Sequence, residues 1–222
     1  MVEKKKRMFG ASFNEEATAW GGGQKNDLLP GDYLVLLGEG KWFSPDESNE
    51  GQPHCEYNEG YRFYKLFGVV VLCLADRGES QGPGDEMSQA HWKRPNQSFF
   101  EKEVGGLIRA CRNDPPKTPY SQEKIWEFLV EKQLHSRRVL EIHMRYLPPR
   151  AKKGEEETPV AEGEDGEKVT YPTITYQRCL TQDEVLEIVN QQEKAIKSRA
   201  LKVLAQHAPQ GIRNPLPQKP KA

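Results

Sequence analysis

The order of the apolar runs is what most restricts how this chain can fold. Strand-like stretches stand at Tyr33 to Leu37, Tyr61 to Ala75, about Glu86 to Trp92, Val139 to Leu147 and Val169 to Arg178, with a helical block between the third and the fourth. The second stretch, built on Val69-Val70-Val71-Leu72-Cys73-Leu74, is β-branched, aromatic and too apolar for an edge, so it predicts the central strand. At its start, alternation sets Tyr61, Phe63, Lys65 and Phe67 on one face and Arg62, Tyr64 and Leu66 on the other. The fourth stretch sets Leu140, Ile142, Met144 and Tyr146 against Glu141, His143 and Arg145, the pattern of a half-buried strand. The fifth sets Val169, Tyr171, Thr173 and Thr175 against Ile174, Tyr176 and Arg178.

The helical block has Asn96 where an N-cap belongs, then Phe99, Phe100, Val104, Leu107, Ile108 and Cys111 at helical spacing. Pro115, Pro116 and Pro119 break it, and Ser121, Lys124, Ile125, Phe128 and Leu129 predict a second short helix ending near Leu134. Thr181-Gln182-Asp183-Glu184 is a capping box that starts a last helix. Its stripe of Val185, Val189, Gln192, Ile196, Ala200, Val203 and Leu204 continues for some 25 residues. At ~1.5 Å per residue that helix exceeds the width of a small barrel, so part of it is expected to project or to meet a partner.

Three strands, a helix and two more strands is the layout of a five-stranded Greek-key barrel of the OB type. The expected class is mainly β with α, with a helical insertion between strands 3 and 4 and a long C-terminal helix. The expected organisation is a polar flexible arm over residues 1–29, the barrel over 30–180, the helix over 181–207 and a disordered Pro/Lys tail over 208–222. Gly38 and Gly40 are where the first strand should bend.

With 222 residues, 36% of them hydrophobic, one domain of ordinary size with polar extensions is expected. A net charge of -1 is silent about polyanions, because clustering decides. Lys4 to Arg7 and the acid-free stretch from Lys194 onward are basic, whereas Glu155 to Glu167 is densely acidic. Cys55, Cys73, Cys111 and Cys179 are isolated and read as reduced thiols of a cytosolic protein. His54 beside Cys55 is half a zinc site with no second half at ligand spacing, so no metal is expected. No apolar run approaches the ~18 residues of a membrane span, and a soluble, cytoplasmic protein is expected.

No phosphate-binding P-loop, H-E-x-x-H or G-x-S-x-G motif is present, and Glu141, Asp76 and Asp85 form no recognisable metal set. The expectation is therefore a binding protein without catalysis and without a cofactor. Aromatics beside Lys or Arg recur at the strand ends, which is what a single strand of nucleic acid needs: cations along its backbone and rings for its bases. The candidate residues are Lys41, Trp42, Arg62, Tyr64, Trp92, Lys93, Arg94 and Arg145, with Lys152 and Lys153 from the loop before the last strand. The competing reading makes these rings core and the cations a solvated face. Trp42 and Trp92 are assigned to the surface, Phe67 and Phe128 to the core.

The opening Leu29-Pro30-Gly31-Asp32-Tyr33, the long aromatic second strand, Gly84-Asp85-Glu86, the helical insertion and the Lys152-Lys153-Gly154 turn together carry a resemblance. Over Leu29 to Leu180 the layout resembles the OB-fold single-stranded-DNA-binding-like proteins of bacteriophage replication and recombination modules. The resemblance implies coating of single-stranded DNA, often by oligomers, and an acidic C-terminal tail that recruits replication partners. Here the end is basic and proline-rich, which leaves the 181–207 helix as the element for self-association or for docking replication and recombination proteins. The alternative is a protein-protein interaction or virion-structural module that uses that same helix.

Overall fold

A computed structural model describes residues 29–43, 62–76, 81–93, 99–147 and 171–218. Six strands form one curled antiparallel sheet: β1 (Gly31–Leu37), β2 (Lys41–Phe43), β3 (Arg62–Asp76), β4 (Glu86–Lys93), β5 (Val139–Leu147) and β6 (Tyr171–Leu180). Helix α1 (Phe99–Arg112) and the short α2 (Gln122–Trp126), which runs into a π-helical turn at Glu127–Glu131, come between β4 and β5. Helices α3 (Gln182–Asn190) and α4 (Lys194–His207) follow β6. The chain is thus a mixed α/β fold around half a barrel. No helix among the described residues is long and apolar enough to cross a membrane.

Strand β3 is the spine, as its composition predicts. Its second half pairs with β1, while its first half pairs with β2 on that same edge and with β4 on the other. The sixth strand arises because the first apolar stretch is interrupted at Gly38, Glu39 and Gly40, after which β2 rejoins the ladder. An alanine Cβ at Gly40 would stand 2.1 Å from the Tyr64 hydroxyl, so only glycine lets the backbone pass that ring. Gln133 clamps the break, accepting from Gly40 N at 2.9 Å and donating to Gly40 O at 3.0 Å. Register shifts between β1 and β3 add residues on the β3 side, and such bulges increase strand twist and help curl the sheet.

Strand β1 is buried on both faces, and two cores result. The inner face carries Tyr33, Val35, Leu37, Tyr64, Leu66, Val70, Leu140, Ile142 and Met144 against Val104, Leu107, Ile108 and Cys111 of α1 and Ile125, Phe128 and Leu129 of the second helical segment. The outer face carries Leu34, Leu36, Val69, Val71 and Leu180 against Val185 and Val189 of α3 and Ala200 and Val203 of α4. The alternation read from β5 holds: Leu140, Ile142 and Met144 are buried and Arg145 is exposed. In β6 it does not hold throughout. The ladder shifts between Glu141 and Ile142, so Arg178 lies opposite Glu141 and leaves the side of Tyr176.

Two expectations about the C-terminal region are corrected. The 181–207 segment is not one projecting helix: the chain turns between Asn190 and Lys194, and both halves lie along the sheet. The stripe of Val185, Val189, Ala200 and Val203 is spent on the protein's own second core. No proline or glycine stands at 190–193 to force the break; burial of both apolar faces, at about 25 cal/mol per Å², outweighs the continuity of one helix. Residues 208–218 have no regular element, as their prolines predict, yet they are anchored. Arg213 N donates to Arg137 O at 2.7 Å, Leu216 N to Cys111 O at 2.8 Å, and the Arg112 guanidinium to Pro217 O at 2.8 Å.

Candidate nucleic-acid interface

Helices α3 and α4 pack on the outer face over β1 and the second half of β3. Among the described residues the outer core does not reach the first half of β3, where Phe67 is 37% exposed, which corrects its assignment to the core, whereas Phe128 is buried as expected. Residues directly across a ladder share a face. Lys41 of β2 pairs with Lys65 of β3, which pairs with Ala90 of β4. In register, Phe43 of β2 pairs with Phe63 of β3 and Phe63 with Trp92 of β4, and beyond Lys65 the residue Phe67 pairs with Ser88. The Lys65 ammonium stands 5.2 Å from the centre of the Phe67 ring, within cation–π range. Lys65 and Phe67 therefore set a cation beside a ring on one face of β3.

The candidates from the sequence divide across this arrangement. Lys41 is exposed and pairs with Lys65, and the backbone of Trp92 pairs with Phe63. Tyr64 is corrected: it is 0% exposed and offers no ring face to a base. Its hydroxyl donates to Leu129 O at 2.9 Å and stands 3.1 Å from Gln133 Oε1 and 3.2 Å from His135 Nε2. Burial pushes that phenol well above its ordinary range, so it stays protonated and acts as a pillar between β3 and the π-helical turn. Trp42 is corrected in part. It is half-buried on the Tyr64 side of the sheet and meets Phe100 edge-on at 5.7 Å and Trp126 edge-on at 5.4 Å.

Arg62 and Lys93 are paired in register where β3 and β4 meet their outer ends. Arg94, Lys152 and Lys153 lie outside the described residues, as do residues 1–28 and the acidic stretch at 155–167. Arg145 is exposed, but it stands one residue beyond Met144, the partner of Gly31, and so at the opposite end of β1 from Lys41. Arg145 Nε donates to His143 Nε2, and His143 Nδ1 donates to Asp32. Partial burial, then the Arg145 charge, holds His143 below the usual imidazole range, which suits that acceptor role. Arg145 does not join the lysine row.

Lys65 and Phe67, which the structure sets beside Lys41, are not among the sequence candidates, although the signal is available. Leu66 must point into the core, so its neighbours on either side must point out, and Tyr64 must share the fate of Leu66. The chain matches no protein-family model and no curated protein.

The inner face offers a different polar constellation. His91 is buried, with Nδ1 3.0 Å from Glu103 Oε2 and Nε2 2.9 Å from the Tyr176 hydroxyl. These contacts join β4, α1 and β6, three elements that no ladder joins among the described residues. Burial raises Tyr176 well above the ordinary phenol value, so it donates or accepts as a neutral group. Among the described residues no three His, Cys, Asp or Glu side chains stand close enough to hold a metal.

Proposed function

We propose that this protein binds single-stranded DNA without catalysis, on the outer face of β2, β3 and β4. The observation that carries the proposal is Lys65 of β3, paired in register with the exposed Lys41 of β2 and standing 5.2 Å from the centre of the exposed Phe67 ring. A single strand presents phosphates and π-faces at short, regular spacing, and a sheet surface that sets cations beside rings is complementary to both. The OB-like reading is supported by the pairing of β1 with both β3 and β5, of β4 with β3 and of β6 with β5, with α1 inserted between β4 and β5. In that reading the seam between β4 and β6 is closed by α1 and by the Glu103–His91–Tyr176 contacts in place of a ladder. A setting in bacteriophage-type replication and recombination follows from the resemblance in layout. With the α3 and α4 stripe buried, the rival role of that helix as a docking element loses its motive.

The test is fluorescence anisotropy of a labelled oligonucleotide titrated with the full chain across a salt series. Affinity is expected to fall as salt rises, with a slope of about -0.7 per phosphate neutralised. Lys41→Gln with Lys65→Gln should flatten that slope by about one and a half, and Phe67→Ala should cost about 1–3 kcal/mol if a base stacks there. No binding, or an affinity indifferent to salt and to all three substitutions, overturns the proposal.

A further inference from the structure

Between β2 and the helices, on the other side of the sheet from the lysine row, lies a recess of about 170 Å³. Trp42, Phe100, Ile125, Trp126 and Leu129 line it, together with Glu101 from the first turn of α1. The Trp42 ring stands nearly perpendicular to both Trp126 and Phe100, so the aromatic lining is folded around a corner and is not a flat stack. Trp126 is 41% exposed at the rim, a large apolar side chain left in water where its neighbours Ile125 and Phe128 are buried. Glu101, itself half-buried, is among the residues around this apolar lining, and its carboxylate Oε2 is buried with no hydrogen-bond partner. A buried, unpartnered carboxylate oxygen is unfavourable for the protein alone and is compensated best by a positive charge.

We propose that this recess binds an alkylated ammonium head, the group carried by a methylated lysine side chain or by a choline-type small molecule. The match is chemical on each count. Such a head has an apolar skin that suits Ile125, Leu129 and the rings, a delocalised positive charge that electron-rich ring faces attract, and no need for a full set of hydrogen bonds. Glu101 supplies the one formal charge, and the volume is close to the ~150 Å³ at which a cavity accepts a benzene-sized guest. A phosphate-bearing ligand is disfavoured at the same place by Glu101. The inference is independent of the DNA reading, since it uses the opposite face of the sheet and the opposite ligand charge.

The experiment follows the indole N–H signals of the full-length protein by nuclear magnetic resonance, with the tryptophans assigned by substitution. Choline, trimethyllysine within a short peptide, and the uncharged carbon isostere 3,3-dimethylbutanol are added in turn, followed by deoxyguanosine monophosphate. Saturable shifts of Trp42 and Trp126 with a trimethylammonium ligand, and at least tenfold weaker binding of the isostere, are expected. Glu101→Gln should weaken the cation tenfold or more while leaving the isostere unchanged. The peptide and choline arms identify the source of the head group by which binds more tightly. Equal binding of charged and neutral isosteres, no saturable shift with either cation, or shifts with the nucleotide alone overturns the proposal; the isostere comparison needs no variant and stands even where Glu101→Gln fails to fold.

Discussion

Acid should unfold this protein through one histidine more than through its surface. His135 is 0% exposed, with its ring edge-on to Tyr64 at 5.8 Å and tilted against Phe128 at 6.0 Å. The single proton of the Tyr64 hydroxyl faces the carbonyl oxygens of Leu129 and Gln133, so His135 Nε2 is the donor in its 3.2 Å contact with that hydroxyl. Burial, and after it the nearby Arg138 charge, lowers the imidazole from 6.5 to about 3. The sign follows from proton binding. Below the unfolded value the unfolded chain takes up a proton that the folded protein refuses, so stability falls with pH until the folded value is reached. Between pH 7.5 and pH 4.5 the loss from this residue alone is about 3 kcal/mol, since each pH unit past the unfolded value costs ~1.4 kcal/mol. Urea unfolding of the parent protein and of His135→Gln at several pH values isolates the effect, because every other titrating group is common to both. The parent should lose about 2–3 kcal/mol more than the variant over that interval. Parallel losses in the two proteins, or a His135 ring that titrates near 6.5 in the folded state, would refute the reasoning.

Other perturbations test individual joints. Tyr64→Phe removes the hydroxyl shared by Leu129, Gln133 and His135 and should cost about 1.5–3 kcal/mol in urea unfolding at unchanged m-value, with DNA affinity unaltered. Gly40→Ala drives a methyl group into the buried Tyr64 ring and should destabilise by about 1–3 kcal/mol or more, seen as a lower thermal midpoint; a midpoint within a degree of the parent would mean the break between β1 and β2 can shift at no cost. Thr181→Ala removes the hydroxyl that accepts from Glu184 N and should cost about 1 kcal/mol, recovered by Thr181→Ser. Arg178→Ala breaks contacts to Glu141 and Glu184 at 3.1 and 3.0 Å, but these are half-exposed pairs, so equilibrium unfolding should register no more than about 1 kcal/mol.

Local chemistry was legible from the residues. The capping box at Thr181 is present with both of its hydrogen bonds, because it depends only on side chains within one turn. The burial of Leu140, Ile142 and Met144 and the helical stripe from Phe100 to Cys111 follow from periodicity alone. The candidate interface was only partly legible. Alternation separates Tyr64 from Lys65, but Trp42 and Tyr64 were chosen because each stands beside a cation in sequence, and neighbours in a strand point to opposite faces. Adjacency along the chain is therefore a poor guide to adjacency on a sheet surface; the register across strands, which brings Lys41 to Lys65, is the relevant spacing.

By itself the sequence determined the order of the long apolar segments, the two faces of β5 and the capped starts at Ser121 and Thr181, since these rest on short-range sterics, periodicity and capping. Only the tertiary structure decided which face of β3 is covered and over what length. That outcome depends on the turn between α3 and α4, which spends an amphipathic stripe on the outer face of β1 and the second half of β3 and, among the described residues, leaves Phe67 of the first half exposed. The physical reason is that burial is a property of pairs of surfaces: a stripe can be read from one helix, but the sheet it will cover is set by where the chain can bring the two together.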